Sequence, residues 1–262
     1  MAYIGTCKQC GDSYRFADDD ENAGTVRCLH SSLPLNCLLD LEQLPEDLLF
    51  FDVETTGLID FKSDKMAPHQ PRVIQLAALL VNDKGEELDS LNVYIKPDGW
   101  IVPEAASRIH GITTEKCLAE GVPMKEALDI FNHLMAKACV RFAYNNSYDE
   151  FLMDRESRLY DSKPLTTFVK PFDVMELAKD FCQLPPTEKM IAAGYTGFKP
   201  PKLIEACEKA FGLDFNFNAH DAMADVRVTK ELYFYLNSIH QDKLKGIESQ
   251  ANNAEPFIHQ QD

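Results

Sequence analysis

The sequence predicts an α/β fold in which helices cover a mixed β-sheet. Residues 48–53 are almost all apolar, which is typical of a strand buried on both faces. Two further strand patterns follow at 73–81 and 91–95, and the turn sequence at 82–85 between them predicts an antiparallel meander. After residue 124 short strands alternate with helical segments, which predicts helices on the faces of the sheet. Several folds share this outline, and the pattern alone does not choose among them.

The elements that follow the meander are predicted from the spacing of apolar residues. We expect a strand at 140–144, a long loop rich in proline at 183–201, and helices at 124–136, 150–159, 174–181, 203–211 and 219–236. Gly212 directly follows the fourth of these helices and is a typical stop residue. The polar residues from 238 onward predict a flexible tail.

The length of 262 residues suits one α/β domain with a small appendage. We expect a cysteine-rich segment with an acidic linker at 1–46, the α/β domain at 47–237 and the tail at 238–262. No apolar run approaches the about 18 residues that a membrane helix needs. The first residues also lack the pattern of a signal peptide. A cytoplasmic protein that does not contact membranes is therefore expected.

The formal net charge is −16. This charge argues against a protein that grips long nucleic acid through many phosphate contacts, because such binding depends on lysine and arginine. It is compatible with an enzyme that holds only the end of a strand, where bound divalent cations supply local positive charge.

Four of the eight cysteines crowd into the first 37 residues, at Cys7, Cys10, Cys28 and Cys37. In a cytosolic protein such a cluster favours a metal site over disulfides. Structural zinc takes four Cys or His ligands, and Cys-x-x-Cys is a common half-site. We expect one Zn²⁺ on Cys7, Cys10 and Cys28, with Cys37 or His30 as the fourth ligand. The alternative is a set of reduced cysteines in a flexible arm.

Two acidic residues, Asp52 and Glu54, stand at the end of the first predicted strand of the domain. Residues two apart on a strand point to the same face. At the end of a buried strand, two unpaired carboxylates would repel each other and lose solvation, and a divalent cation would relieve both. Gly57 follows closely and permits close approach of a ligand to the backbone. The alternative is a strand end whose acids simply point to water.

Two later segments add three more candidates. Asp149 follows a predicted strand where a helix opens, so it is a candidate ligand or only a helix cap. His220 stands at a predicted helix start, five residues before Asp225. Five residues turn a helix by about 500°, so the two side chains do not share one stripe. A histidine before the first turn can still lean over a metal held by Asp225. The alternative is a capping histidine with a surface aspartate.

Together the three segments resemble the DEDD superfamily of 3′→5′ exonucleases, in its histidine-bearing branch. That branch includes the proofreading epsilon subunit of DNA polymerase III, ribonuclease T and oligoribonuclease. Asp-x-Glu followed by Thr-Thr-Gly stands at 52–57, Asn-x-x-Tyr-Asp at 145–149 and His-x-x-x-x-Asp at 220–225. The resemblance runs from about residue 48 to 236 and implies a ribonuclease-H-like mixed sheet. One departure is Tyr144, where many members carry histidine.

The resemblance also implies a mechanism with two Mg²⁺ or Mn²⁺ ions. In this family Asp52 bridges both ions, Glu54 and Asp225 complete the site of the ion that activates water, and Asp149 supports the second ion. His220 is the general base. The implied products are nucleoside 5′-monophosphates. Residues that resemble substrate contacts are Thr55, Thr56, Gly57, Leu58, Asn145 and Tyr148.

The expected substrate is the 3′ end of a nucleic-acid strand. Single-stranded DNA is favoured, because the Thr-Thr-Gly version of the first motif resembles the polymerase-associated members. Trimming of RNA 3′ ends is the alternative, and an inactive binding module of the same fold is a second one. The complete five-residue set argues against the inactive module. The cysteine-rich segment is expected to position substrate or to recruit a replication or repair protein.

Overall fold

The computed structural model describes residues 47–162 and 169–239 in full. It also gives the backbone of three short strands near the N-terminus and of the last helix as far as residue 252. The zinc ligands expected at Cys7, Cys10, Cys28, Cys37 and His30 lie outside the described residues. Within the described part, no helix has both the length and the apolar character needed to cross a bilayer.

Eight strands and eight helices are described. The strands are β1 Ala2–Thr6, β2 Ser13–Ala17, β3 Leu41–Gln43, β4 Asp47–Thr55, β5 Val73–Val81, β6 Glu87–Tyr94, β7 Ala138–Ala143 and β8 Lys170–Asp173. The helices are α1 Glu104–His110, α2 Thr114–Glu120, α3 Met124–Met135, α4 Asn146–Leu159, α5 Val174–Cys182, α6 Glu188–Ala192, α7 Leu203–Phe211 and α8 Ala222–Asn252.

The central sheet has five strands in the order β6-β5-β4-β7-β8. Strands β4, β5 and β6 form the expected antiparallel meander, with Asp52 opposite Ala77 and Glu54 opposite Gln75. Strands β7 and β8 run parallel to β4. The prediction of a mixed sheet with helices on its faces is confirmed.

Strand β4 lies at the centre of the sheet and separates two apolar cores. Leu49, Phe51 and Val53 face a cluster that includes Phe131 of α3. Phe50 points to the other face, where it packs with residues of β7, α5 and α8. The rings of Phe50 and Phe142 stack with centroids 4.5 Å apart. Because β4 is buried on both faces, its carboxyl end is held firmly by the rest of the fold.

Short elements account for most of the differences from the sequence prediction. Helices α1 and α2 have seven residues each and α6 has five. Strand β8 has four residues. Such elements span too few turns or residues to give a clear periodicity. Helix α6 lies inside the segment that was predicted to be loop throughout.

The two terminal segments also differ from the prediction. Strand β3 lies in the expected linker and joins a three-stranded antiparallel sheet of order β2-β1-β3. The prediction of a loose tail from residue 238 is wrong as far as Asn252, because α8 continues to that residue. Residues 238–252 hold two lysines and two glutamines with one glutamate, one leucine and one alanine, and all of these are good helix formers even where the surface is polar.

Candidate active site

The candidate site lies where β4 ends and α8 begins. Phe50 lies against α8, and Asp52 and Glu54 follow it on the same face of the strand. Helix α8 begins level with Glu54, since the Ala222 N–H donates to Gln75 Oε1 at 3.2 Å and Gln75 pairs opposite Glu54. The two carboxylates therefore emerge where the apolar cover of α8 stops.

Glu54, His220 and Asp225 form the tightest group in the site. Each offers one ligand atom, and these atoms all lie within 4.8 Å of one another. Asp225 Oδ2 accepts the His220 N–H at 3.3 Å, whereas Asp225 Oδ1 is buried without a hydrogen-bond partner among the residues that the structure describes. A buried acceptor with no donor is costly, and a divalent cation would satisfy it. The arrangement suits a hard cation with oxygen ligands.

The capping alternative for His220 is wrong, because Asp221 caps α8. Its side chain accepts the Ala224 N–H at 3.1 Å and its carbonyl accepts the Asp225 N–H at 2.9 Å. His220 itself has a φ of +66°, a left-handed conformation that a histidine adopts rarely. This conformation leaves the side chain exposed and close to Glu54 and Asp225. Strain of this kind often marks functional positions.

Asp149 is buried in the first turns of α4, and its Oδ1 accepts the Val53 N–H at 3.2 Å. The capping alternative for Asp149 is wrong as well. Asp173 takes that role from the end of β8, accepting the N–H groups of Asn145 at 3.0 Å and Asn146 at 3.1 Å. Asp173 also caps its own helix α5. Asp149 is therefore free to face the β4 carboxylates.

The carboxyl groups raise one another's pKa values. The pKa of Asp52 lies well above its usual range because of burial and the charges of Asp149 and Asp225. Burial, with Asp225 and Asp221 nearby, raises the pKa of Glu54 to about 8. Burial likewise raises the pKa of Asp225 to about 7, although the His220 N–H opposes the shift. Burial also raises the pKa of Asp149. Bound cations would reverse these effects.

Of the expected substrate contacts, several hold the loop after β4 in place. The hydroxyl groups of Thr55 and Tyr148 both donate to the Gly57 carbonyl at 2.8 Å. Thr56 Oγ1 accepts the Arg72 N–H at 2.9 Å. These bonds fix the backbone beside the carboxylates. The next residue, Leu58, is 88% exposed, so its side chain is open to a ligand.

Asn145, another expected contact, is exposed at the turn between β7 and α4, where its φ is +65°. Tyr144 precedes it and is the departure from the family pattern. Its hydroxyl donates to the Pro201 carbonyl at 2.9 Å. The tyrosine thus ties the end of β7 to the segment before α7 and contributes packing beside the site.

Gln75 and Asp173 position the site, and neither role was predicted from the sequence. Gln75 is 1% exposed, donates to Asn92 Oδ1 at 3.0 Å and accepts the first N–H of α8. A lone polar residue in an otherwise apolar strand is the feature that could have identified it. Asp173 directly before a helix is a recognisable cap. Its bonds to Asn145 and Asn146 depend on the fold.

Comparison with known proteins identifies the family and the fold of this chain. The family model RNase_T, described as an exonuclease, matches residues 49–233. No curated protein sequence matches significantly. The fold resembles a zinc-bound Escherichia coli exonuclease I complex with single-stranded DNA, with 22% identity, a TM-score of 0.59 and coverage of 78% of this chain and 43% of that one.

Two further solved structures give the same result. Escherichia coli exonuclease I with a dA16 oligonucleotide has 22% identity and a TM-score of 0.58, covering 76% of this chain and 42% of that one. The enzyme from Methylocaldum szegediense has 21% identity and a TM-score of 0.56, covering 76% and 41%. At these identities the likeness shows the fold. This chain spans less than half the length of the exonuclease I chains that it matches.

Proposed function

This chain belongs to the RNase_T family of exonucleases, within the DEDD superfamily, and we propose that it removes nucleotides one at a time from a free 3′ end. The reaction is hydrolysis of the terminal phosphodiester, it depends on divalent cations, and it releases nucleoside 5′-monophosphates. The convergence of Asp52, Glu54, Asp149 and Asp225 from three separate elements, beside His220, carries the proposal.

The carboxylates fit a pair of Mg²⁺ or Mn²⁺ ions. Asp225 has a buried oxygen with no hydrogen-bond partner among the described residues, and the pKa values of the four acids are raised first by burial and then by the charges of neighbouring acids. Asp52, Glu54 and Asp225 would hold one ion, and Asp52 with Asp149 the other. When bound, these ions supply the positive charge that neutralises the carboxylates and stabilises the phosphate in the transition state.

The protein's own groups would position the strand end and move the proton. His220 accepts the proton of the attacking water at a ring nitrogen, since its exposed side chain lies beside Glu54 and Asp225. Tyr148 and Thr55 hold the Gly57 backbone where the terminal nucleotide would lie. Leu58 offers an apolar surface to the last base.

A role for His220 as a metal ligand is the competing assignment, because its ring nitrogen lies within ligand distance of the same cation position. Two properties favour the base. The side chain is exposed, so the proton can pass to solvent, and the hydrogen bond to Asp225 comes from the His220 backbone and leaves both ring nitrogens available.

Single-stranded DNA is the proposed substrate, with RNA as the alternative. The Thr-Thr-Gly sequence after Glu54 supports DNA. One of the similar structures is exonuclease I bound to a DNA oligonucleotide, which supports a nucleic-acid strand of the same kind here. We also propose that Cys7, Cys10 and Cys28 bind one structural Zn²⁺ with Cys37 or His30. The Cys-x-x-Cys spacing of Cys7 and Cys10, a common half-site for structural zinc, supports this site.

The test uses single-stranded DNA, duplex DNA and RNA of one sequence, each labelled at the 5′ end, with Mg²⁺, Mn²⁺ or EDTA. We expect a ladder that shortens from the 3′ end, only with metal and faster on DNA. Asp52→Asn and Asp225→Asn should remove nearly all activity. Full activity in either variant would contradict the mechanism, and binding without cleavage by the wild-type protein would favour the inactive module.

A further inference from the structure

The loop that follows Leu58 carries large apolar side chains into solvent beside the candidate site. Leu58 is 88% exposed, Phe61 is 68% exposed and Met66 is 37% exposed. Exposed apolar groups that cluster in this way mark surfaces that bind a partner. Leu58 belongs to the substrate contacts already proposed, whereas nothing in the proposed function accounts for Phe61.

Two buried side chains hold the backbone of this loop in place through hydrogen bonds. Gln70 is 2% exposed and bonds the backbone of Asp60 in both directions, accepting its N–H at 3.1 Å and donating to its carbonyl at 2.8 Å. Arg155 is 3% exposed and donates to the carbonyls of Lys65 at 2.9 Å and Ala67 at 3.3 Å. An exposed aromatic ring on a fixed loop loses little entropy when a ligand stacks on it.

The ring of Phe61 is also fixed in place by a second aromatic residue. It stands edge-on to Phe151, with centroids 5.7 Å apart and planes at 69°. Phe151 lies two residues after Asp149 on α4, so the pair extends from the second acidic motif itself. The contact with Phe151 covers only part of Phe61, and most of the Phe61 side chain is open to solvent.

An open groove continues from this pair. Its lining includes Lys65, Ser147, Glu150, Phe151 and Asp154, and its volume is about 380 Å³. The Lys65 ammonium group lies 4.9 Å from the Phe151 ring centroid and pairs with Asp154 at 2.7 Å. Arg141, which also lines the groove, pairs with Glu150. Since both cations are already paired and the chain carries a charge of −16, phosphate contacts add little here. Affinity must come mainly from aromatic and apolar contact.

We propose that Phe61, supported by Phe151, is a stacking platform for an unpaired base a few nucleotides upstream of the 3′ end. This proposal rests on the proposed exonuclease function. Phe61 follows Leu58 by three residues, a span of at most about 10 Å, so a strand whose terminal nucleotide contacts Leu58 can reach Phe61 with a base further upstream. Stacking tolerates any base, because every base has a π-face. It requires an unpaired base, so the platform selects single strands over blunt duplexes.

The test compares a long substrate with one too short to reach the platform. The long substrate is (dT)8 or (rU)8, according to the sugar that the wild-type protein accepts. The short one is the p-nitrophenyl ester of the matching nucleoside 5′-monophosphate. Phe61→Ala should raise KM for the octamer by about 5- to 150-fold, the range for loss of one stacked base, with little change in kcat. Its kinetics on the ester should equal those of the wild type.

Two further variants serve as controls. Phe61→Trp should keep KM for the octamer within about threefold of the wild type, because it preserves a π-face. Leu88→Ala removes another exposed apolar side chain, which is 51% exposed in β6. The neighbours of Leu88 pair with Leu80 and Val81, far along the sheet from Glu54 and Gln75, so this change should have no effect.

Unchanged KM of Phe61→Ala on the octamer overturns the platform, as does an equal loss on the ester, which would mean that the loop had collapsed. If the wild-type protein cleaves neither substrate, the exonuclease proposal fails by itself. Binding of a fluorescent octamer, measured by anisotropy in Ca²⁺, then tests the stacking platform independently of cleavage. Weaker binding by Phe61→Ala than by Phe61→Trp supports it, and equal binding overturns it.

Discussion

Replacing Glu54 by glutamine should stabilise the metal-free protein while abolishing its activity. The pKa of Glu54 is raised from 4.5 to about 8 by burial and by the charges of Asp225 and Asp221. A carboxyl whose pKa is higher in the folded state stabilises the fold while it is protonated, and that stability is lost as the pH rises. Above pH 4.5 the unfolded chain therefore holds fewer protons than the native one, and the fold weakens up to about pH 8.

The size of the effect follows from these two pKa values. At pH 7 the unfolded group has lost its proton and the native group retains most of it, which destabilises the fold by about 3 kcal/mol. At pH 5 the same comparison gives only about 1 kcal/mol. Glu54→Gln removes the charge at almost the same volume, so we expect a gain of about 1–3 kcal/mol at pH 7. This corresponds to a rise in Tm of roughly 2–12 °C for a domain of this size.

The assay is thermal unfolding in EDTA at pH 5 and pH 7, repeated with Mn²⁺. The advantage of Glu54→Gln should shrink at pH 5. With Mn²⁺ at 100 times its Kd, the wild-type protein should gain about 2.7 kcal/mol, and the variant less, because it lacks one ligand. Glu120→Gln, an exposed change at the end of α2, is the matched control and should alter neither profile. A variant no more stable than the wild type at pH 7, or equally favoured at pH 5, would refute the claim that burial and neighbouring charges make Glu54 destabilising.

Three other predictions concern the base, the appended segment and the turn before α4. His220→Ala should lower kcat by about 10²–10⁴ while leaving Mn²⁺ affinity unchanged, and a large loss of Mn²⁺ affinity would instead make it a ligand. Elemental analysis of protein purified without chelators should find about one zinc per chain, lost with deletion of residues 1–46, and zinc-free protein would contradict the site. Asp173→Ala leaves three N–H groups without their acceptor, so it should cost about 2–4 kcal/mol and lower kcat. Asp173→Asn should recover most of both, and Asp180→Ala, which is exposed in the same helix, should resemble the wild type.

The residue pattern within a strand was enough to predict which acidic side chains stand at its end. It did not predict the hydrogen bonds between residues that are distant in sequence. Asp52 and Glu54 could be predicted to share a face because a strand alternates and because the residues before them are apolar. Whether Asp149 was a cap depended on Asp173, which lies more than twenty positions away and whose sequence position indicates only the cap of its own helix α5. Likewise, His220 and Asp221 are neighbours, and only the fold shows that the second is the cap.

The same limit explains the elements that were missed. Helices of five to seven residues owe their stability to packing and caps, such as the Thr113 side chain that accepts the Lys116 N–H at the start of α2. Helix α8 shows the opposite case, since it continues through residues 238–252, where the polar composition predicted a tail. Apolar periodicity in a sequence indicates which residues are buried. The short helices depend mainly on caps and tertiary contacts, which this periodicity does not show.

The placement of the acids has a consequence for how stability is distributed in this fold. Four carboxyl groups with raised pKa values oppose folding at neutral pH when no cation is bound. They lie at the end of β4, whose preceding residues Phe50 and Phe51 are 0% and 1% exposed, on opposite faces. Each such burial contributes about 1.5–3 kcal/mol, comparable to the cost of about 3 kcal/mol that burial and neighbouring charges impose on one carboxyl. The central position of β4 between two apolar cores therefore allows a cation site to be assembled before any cation binds. Gln75 and Asp173 set the geometry of that site through hydrogen bonds that do not depend on the metal.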